Sequence, residues 1–213
     1  MIAISLKDTL NIEWRGEIEE MIQHHYNEDP KTFRDEIERL IDLRKKVQMP
    51  ERNENGVKLL YEYYNQLIWL EKRMFTNQKF SAIQFIWFDS LTAHQTANES
   101  IAYEKASILF NIGVLWTQIA AAKEFNSETK STQEAITSLQ KAAGIFRYLK
   151  RSVREKFSKD LTKDVLEILE GIFKLQAQEC ILNSDMQEPE KEDVQSYNIL
   201  AREAAQLSED TKH

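Results

Sequence analysis

The 213-residue chain has few of the residues that interrupt regular structure or cross-link a chain: five glycines, three prolines and one cysteine. The low glycine and proline content argues against the turn-rich chain of a β-sandwich and favours long helices. The lone cysteine, Cys180, excludes an internal disulfide framework and suits a reducing compartment. Met1 to Thr9 lack a signal-peptide pattern, and no apolar run reaches the ~18 residues that span a bilayer. We therefore expect a soluble, cytoplasmic protein.

Hydrophobic residues make up 42% of the chain, which is enough to fill a core, and the net charge is −7. The negative charge argues against general nucleic-acid binding, because the phosphate backbone rewards a basic excess. The length fits one large domain or two small ones.

The chain is organised around the stretch from Glu99 to Ala121, which contains no proline and one glycine, Gly113. Its apolar residues recur at three- and four-residue steps and cover more than half of a helix circumference. Small residues among them would let neighbouring backbones approach closely. Glu104 and Asn111 lie on the narrow polar stripe, where we expect buried hydrogen bonds that fix the register of the helix. The spacing predicts a buried helix that other helices surround.

The rest of the sequence predicts short strands and further helices. Alternation predicts a short strand over Ile2 to Lys7, and a dense aromatic run predicts a buried strand over Ala82 to Asp89, with His94 to Asn98 as its partner. Helical spacing, caps and breakers predict helices over 12–26, 29–49, 57–75, 131–156, 162–182 and 190–207. We expect a mostly α fold, an antiparallel helical array with tetratricopeptide-like helix pairs plus a small N-terminal β-sheet, without a strict repeat.

The candidate catalytic and metal-binding residues are isolated in the sequence. His24 and His25 are adjacent and would point about 100 degrees apart on a helix, so they cannot chelate one metal ion and are expected at the surface. Cys180 is followed by neither a glycine-rich anion loop nor an arginine and is expected to pack in the core. Scattered glycines build neither a P-loop nor a dinucleotide fingerprint. We expect no enzyme activity, metal, cofactor or small-molecule substrate.

A run of basic residues lies along the predicted helix over 131–156. Its members are Lys141, Arg147, Lys150, Arg151, Arg154 and Lys156. Such clusters are attracted to anionic lipid by about 1 kcal/mol per residue near a membrane surface. The alternative is a solvated face whose cations complement the C-terminal end of the helix dipole. The sequence leaves both interpretations open.

Several stretches together resemble the BRO domain, a module of Alix, of the His-domain protein tyrosine phosphatase and of rhophilin. They are Ile4 to Lys7, Tyr63 to Leu67, Phe85 to Asp89, Tyr103 to Gly113 and Gln176 to Cys180, and their order and spacing match the family across nearly the whole chain. The resemblance implies a single BRO-type domain over residues 1–213. Domains of the family continue with further helices, so we expect this chain to be the N-terminal part, without the later helices.

The resemblance also implies a function, which is binding the C-terminal amphipathic helix of an ESCRT-III subunit, a charged multivesicular body protein, in a shallow apolar patch. Carried over by alignment, the patch draws on Ile181 and Leu200. The family has an apolar residue one turn before the latter, where this chain has Ser196, so Val194 or Tyr197 would rebuild the patch. The alternative is that Ile181 and Leu200 are ordinary core residues. The implied protein is an adaptor that is recruited to endosomes.

Two other functions stay as alternatives: a Rho-pathway signalling scaffold of the rhophilin type, and a regulatory module of a phosphatase whose catalytic domain lies elsewhere. Trp87 to Thr92 and Tyr63 to Leu67 are most similar to rhophilin, whereas Tyr26 to Pro30 and Gln176 to Cys180 are similar to the phosphatase. A BRO domain that starts at Met1, without a Rho-binding segment before it, favours the arrangement of Alix and the phosphatase. The residues alone do not separate the three functions.

Overall fold

The computed structural model of the chain describes residues 1–74, 83–123 and 129–187. Six α-helices and a two-stranded antiparallel sheet make up the main regular structure of these ranges. In chain order the elements are α1 (Arg15–His25), α2 (Arg34–Lys46), α3 (Glu54–Met74), β1 (Phe85–Phe88), β2 (Gln95–Asn98), α4 (Ile101–Ala121), α5 (Thr129–Ser152) and α6 (Lys163–Gln187). The predicted mostly α class with a small sheet is confirmed. The helix expected over 190–207 lies outside the described residues.

Helix α4 is the centre of the fold, because nearly every side chain along it is buried. Ser100 caps its first turn, where the hydroxyl accepts a hydrogen bond from the Ala102 amide at 3.2 Å. Helix α5 approaches closely at Gly113, where an added Cβ would lie 3.0 Å from the Cζ atom of Phe146. The predicted buried helix, and the close approach that its small residues allow, are confirmed.

Helices α4, α5 and α6 pack side by side in chain order. A line of aromatic rings joins them: the centroids of Phe110 and Phe146 are 5.5 Å apart, and those of Phe146 and Phe173 are 5.7 Å apart. Helices α4 and α5 run antiparallel. From Phe110 to Trp116 the chain advances along α4, whereas from their partners Phe146 to Lys141 it goes back along α5. The predicted helical array is therefore confirmed.

Strands β1 and β2 form the predicted hairpin, whose turn includes Ala93 in the left-handed conformation with φ of 55°. Phe85 and Trp87 of β1 are fully buried, whereas Ile86 and Phe88, which alternate with them, are half-buried. The helices differ from the predictions by a few residues at their ends. The basic helix α5, for example, ends at Ser152 rather than at residue 156.

The strand predicted over Ile2 to Lys7 is wrong, because the backbone of this segment pairs with side chains and not with another strand. The Lys7 amide donates to Asn111 Oδ1 at 2.7 Å, and Asn111 Nδ2 donates to the Lys7 carbonyl at 3.0 Å. The polar stripe of α4 thus supplies the hydrogen bonds that a neighbouring strand would provide. Strand-like backbone pairing occurs just after the segment, where Thr9 forms an isolated antiparallel bridge with Trp87.

Candidate functional site

A shallow groove of about 320 Å³, here called the α5/α6 groove, opens between the last two described helices. It contains Ile181, which is half-buried and packs against the hydrophobic core. The groove is lined by Gln140, Ala143, Gly144 and Arg147 of α5 and by Lys174, Ala177, Gln178 and Ile181 of α6. The other predicted patch residues, Val194, Tyr197 and Leu200, lie outside the described residues. Of the predicted patch, the structure therefore places Ile181.

Small residues leave the groove open between the two helices. Ala143 and Ala177 are buried, whereas Gly144 is exposed. Apart from its chain neighbours and its own helix backbone, no atom of the described chain lies within 4 Å of the place that a Cβ on Gly144 would occupy. Glycine inside a helix costs about 1 kcal/mol relative to alanine. No contact within the described chain requires that glycine, so its bare backbone leaves space that a partner could fill.

Three cations surround one carboxylate at the edge of the groove. Glu170, whose side chain is 7% exposed, pairs with Arg147 Nε at 2.8 Å and with Lys150 Nζ at 2.9 Å. Lys174, one turn further along α6, pairs with the same carboxylate. Burial acts to raise the pKa of Glu170, but hydrogen bonds from the three cations outweigh burial and hold the pKa at about 2. The carboxylate therefore stays charged and fixes the cations around it.

The basic residues predicted to contact lipid differ in their surroundings. The ammonium of Lys141 lies over the Trp116 ring, 3.9 Å from its centroid. Lys150 is shared between Glu170 and an exposed glutamate of α6. Arg151 and Arg154 are exposed, and Arg154 lies beyond the end of α5. Part of the run is thus paired with carboxylates, and part faces solvent.

Glu104, on the polar stripe of α4, joins four elements through its buried carboxylate. It accepts hydrogen bonds from the Tyr63 hydroxyl at 2.9 Å and from the indole N–H of Trp87. It also pairs with Arg44 Nε at 2.7 Å. Burial and the negative charge of Glu104 raise the pKa of Tyr63 well above its usual value. The predicted buried hydrogen bonds of Glu104 are confirmed, and they tie α2, α3 and β1 to α4.

A second buried ion pair, between Lys7 and Asp160, is one that the sequence does not predict. Asp160 also accepts a hydrogen bond from the Ser90 amide at 2.8 Å, and its own amide donates to Asp89 Oδ2 at 2.8 Å. Burial lowers the pKa of Lys7, and the attraction of Asp160 opposes that shift. The only signal in the sequence is a lysine at the end of an apolar alternation, which says nothing about its distant partner.

A larger apolar groove, of about 660 Å³, opens between α1, α2 and α3. Met21 and Ile37 are buried within it, and Trp69 stands at its edge with 59% of the side chain exposed. The Tyr26 hydroxyl donates to the Arg73 carbonyl at 2.6 Å and so links α1 to the end of α3. Sequence analysis does not predict this opening, because helical spacing does not report how far apart two packed helices stand.

The isolated histidines and the cysteine lie where the sequence predicts. His24 and His25 are exposed, and Cys180 is buried. Burial raises the pKa of the Cys180 thiol, which disfavours the reactive thiolate. Among the described residues, no group of three or more His, Cys, Asp and Glu side chains could hold a metal ion. In the same ranges, no helix is long and apolar enough to cross a membrane.

The sequence matches one family model and several curated relatives. The model of the BRO1-like domain matches residues 1–210. Rhophilin-1 of Mus musculus is 40% identical over 181 residues, which cover 85% of this chain and 28% of that protein. Rhophilin-1 of Homo sapiens is 37% identical over 210 residues, which cover 98% of this chain and 31% of that protein. The chain thus spans less than a third of the length of these relatives.

Solved structures share the fold of this chain. The BRO1 domain in the ALIX BRO1 complex with CHMP4C has a TM-score of 0.83 and is 26% identical, covering 99% of this chain and 62% of that chain. A Bro1 domain from work on endosomal targeting has a TM-score of 0.85 and is 21% identical, covering 100% of this chain and 58% of that chain. At the lower identity, the likeness shows the fold alone.

Proposed function

This chain belongs to the BRO1-like domain family, and we propose that it is a non-enzymatic adaptor in endosomal, multivesicular-body sorting. Its proposed partner is the C-terminal amphipathic helix of an ESCRT-III subunit. The complex of the ALIX BRO1 domain with CHMP4C, at 26% identity to this chain, supports this class of partner. The observation that carries the proposal is the α5/α6 groove, which presents Ile181 beside an open floor of small residues.

The residues that line the groove suit a helix as the bound partner. An amphipathic helix binds by placing apolar side chains at three- and four-residue spacing into a hydrophobic groove. Ile181 offers an apolar contact, and the bare backbone at Gly144 allows a partner side chain to approach closely. In this proposal Leu200 completes the patch, with Tyr197 and Val194 as neighbours.

Titration of the full chain with a fluorescent peptide of an ESCRT-III C-terminal helix tests the adaptor function. We expect saturable micromolar binding. Ile181→Asp and Leu200→Asp should each weaken it at least about tenfold, because a carboxylate in an apolar contact loses hydration without gaining a partner.

Ile168→Asp is the matched control for this titration. Ile168 lies on the same helix as Ile181, is 60% exposed and is not part of the groove. We expect this variant to bind like the wild type, with circular dichroism confirming the fold of each variant. Unchanged affinity of both patch variants would contradict the assignment of the patch. No binding by a folded wild-type chain would contradict the adaptor function.

A Rho-pathway scaffold of the rhophilin type is the second candidate, and the identity of 37 to 40% to rhophilins favours it. This alternative expects no affinity for the ESCRT-III helix. The same titration therefore discriminates between the two candidates, as does the presence of a Rho-binding coil or a PDZ domain in the full gene product.

Contact with an anionic endosomal membrane is a secondary proposal for the basic residues Lys141, Arg147, Lys150, Arg151 and Arg154. The exposure of Arg151 and Arg154 supports it, because cations at the surface can reach lipid headgroups. Sedimentation with phosphatidylserine vesicles checks it. Equal sedimentation of the wild type and of a double Arg151→Gln, Arg154→Gln variant would contradict it.

A further inference from the structure

We propose that the α5/α6 groove selects amphipathic helices that carry carboxylates along the edges of their apolar face. The inference rests on the proposed function and adds the charge pattern of the partner. It depends on two cations that line the groove, Arg147 of α5 and Lys174 of α6, and on Glu170, the carboxylate that both of them contact.

Arg147 and Lys174 are held in place in the free protein. Arg147 Nε lies 2.8 Å from Glu170 Oε1, and Lys174 Nζ pairs with the same oxygen atom. A long cationic side chain normally loses conformational entropy when it forms an ion pair. Glu170 has already restricted both side chains in the free protein, so binding of a partner loses less of their conformational entropy. The two side chains are 46% and 45% exposed, and their other N–H groups can donate to a bound carboxylate.

The positive charge of this cluster exceeds the negative charge that the chain supplies. Glu170 is shared by three cations, since Lys150 also pairs with it at 2.9 Å. Glu167 approaches Lys150 at 3.2 Å. Within the described ranges, Glu170 is the only carboxylate that forms an ion pair with Arg147 or Lys174. Excess positive charge beside the small and apolar residues Ala143, Ala177 and Ile181 of the groove is complementary to a helix whose apolar face has acidic edges.

The position of the two cations favours a helix bound in the groove, rather than a flat membrane surface, as their partner. A bilayer surface can reach any protruding cation, and Arg147 and Arg151 are both exposed. A carboxylate on a helix in the groove reaches Arg147 and Lys174, because these residues line the groove and Arg151 does not. The two types of partner therefore differ in which cations they depend on.

A charge-swap cycle with the full chain tests the inference. Two fluorescein-labelled amphipathic peptides carry leucines on one face and differ only in having glutamates or glutamines along its edges. We expect the wild-type chain to bind the glutamate peptide about three- to tenfold more tightly, with an advantage that falls as salt increases. In Arg147→Gln and in Lys174→Gln the advantage should shrink below about twofold, whereas Arg151→Gln should retain it.

The outcomes separate this inference from the proposed function. Equal affinity of the wild type for both peptides overturns the inference and leaves the adaptor function standing, while no binding of either peptide by the folded chain overturns both. A glutamate advantage that survives in both variants, or that Arg151→Gln removes equally, also overturns the inference.

Two further measurements locate the binding. Gly144→Leu places its side chain in open space within the groove and should abolish binding of both peptides; retained binding would overturn the inference by placing the peptides elsewhere. Sedimentation with phosphatidylserine vesicles that depends on Arg147 and Lys174 more than on Arg151 would assign the pair to a membrane and overturn it as well.

Discussion

At the scale of single residues, the buried carboxylate of Glu104 on α4 has three buried partners: Tyr63, Trp87 and Arg44. Removing an ion pair from water is costly, and hydrogen bonds to its remaining groups offset part of that cost. The Glu104 carboxylate accepts hydrogen bonds from the Tyr63 hydroxyl and the Trp87 indole. The guanidinium of Arg44 lies 5.3 Å from the centroid of the same indole ring and donates from Nη2 to the Thr9 hydroxyl at 2.7 Å, whereas Nη1 has no hydrogen-bond partner among the described residues. Loss of one member of the pair therefore costs more than the pair itself contributes.

Glu104→Gln should lower the free energy of unfolding by about 3 kcal/mol, because it preserves side-chain size but leaves the Arg44 guanidinium buried without a counter-charge. Urea unfolding followed by circular dichroism measures the change. Glu99→Gln removes an exposed carboxylate just before α4 and is the control, expected within about 0.5 kcal/mol of the wild type. Equal stability of both variants would contradict the role assigned to Glu104.

Single residues show what the sequence can and cannot predict about these sites. Glu104 and Asn111 are predictable as buried polar residues, because a narrow polar stripe on an apolar helix has little access to water. Their partners are not predictable, since helical spacing does not say which element faces the stripe. Ile181 enters through family resemblance alone. The cations around Glu170 depend on the register between α5 and α6, which the sequence does not state.

At the scale of elements, α4 and α5 each contain an interior glycine, and the two glycines have opposite surroundings. A Cβ on Gly113 would press on Phe146, which is fully buried in the line of aromatic rings. A Cβ on Gly144 would enter open space. Intrinsic helix propensity favours alanine at both positions by a similar amount. A difference in stability between alanine variants at the two positions would therefore reflect packing.

Gly144→Ala should raise the free energy of unfolding by about 0.5 to 1 kcal/mol. Gly113→Ala should lower it by about 1 kcal/mol, because overpacking against the Phe146 ring outweighs the gain in helix propensity. Thermal unfolding of the two variants beside the wild type measures both changes. A higher free energy of unfolding in both variants would mean that the Phe146 ring moves aside at little cost.

The elements also show why one prediction is wrong while the others are confirmed. The helices and the hairpin bury faces that their own spacing defines, so their type can be predicted from local sequence. The segment from Ile2 to Lys7 has the spacing of a strand, but hydrogen-bonding groups of Asn111 and Gln118 take the place of a neighbouring strand. Local alternation predicts an extended backbone and leaves open which groups pair with it.

At the scale of the whole molecule, the first residues of the chain bridge helices that are distant in sequence. The Ile2 amide donates to Gln176 Oε1 of α6 at 2.7 Å, and Gln118 Nε2 of α4 donates to the Ile4 carbonyl at 2.7 Å. The Lys7 side chain then reaches the buried Asp160, which precedes α6. This segment closes the fold across more than 170 residues, since the contact between residues 2 and 176 spans 174 positions.

Native-state hydrogen exchange should detect this closure. We expect the Lys7 amide to be protected to a level near that of α4, because it is buried and donates to Asn111 Oδ1 at 2.7 Å. The exposed Asn11, which follows in the same strand-free segment, is the comparison and should exchange much faster. Equally fast exchange at both amides would show that the segment opens independently of the helices.

Cys180 gives the molecule a practical property for labelling chemistry. It is the only cysteine of the chain, and its thiol is buried with a raised pKa. A maleimide reacts with exposed thiolates, so the native protein should be nearly inert to it. A small cysteine introduced at Gly144 would then be the one reactive thiol, and the slowing of its reaction with maleimide by a bound partner would report on occupation of the groove.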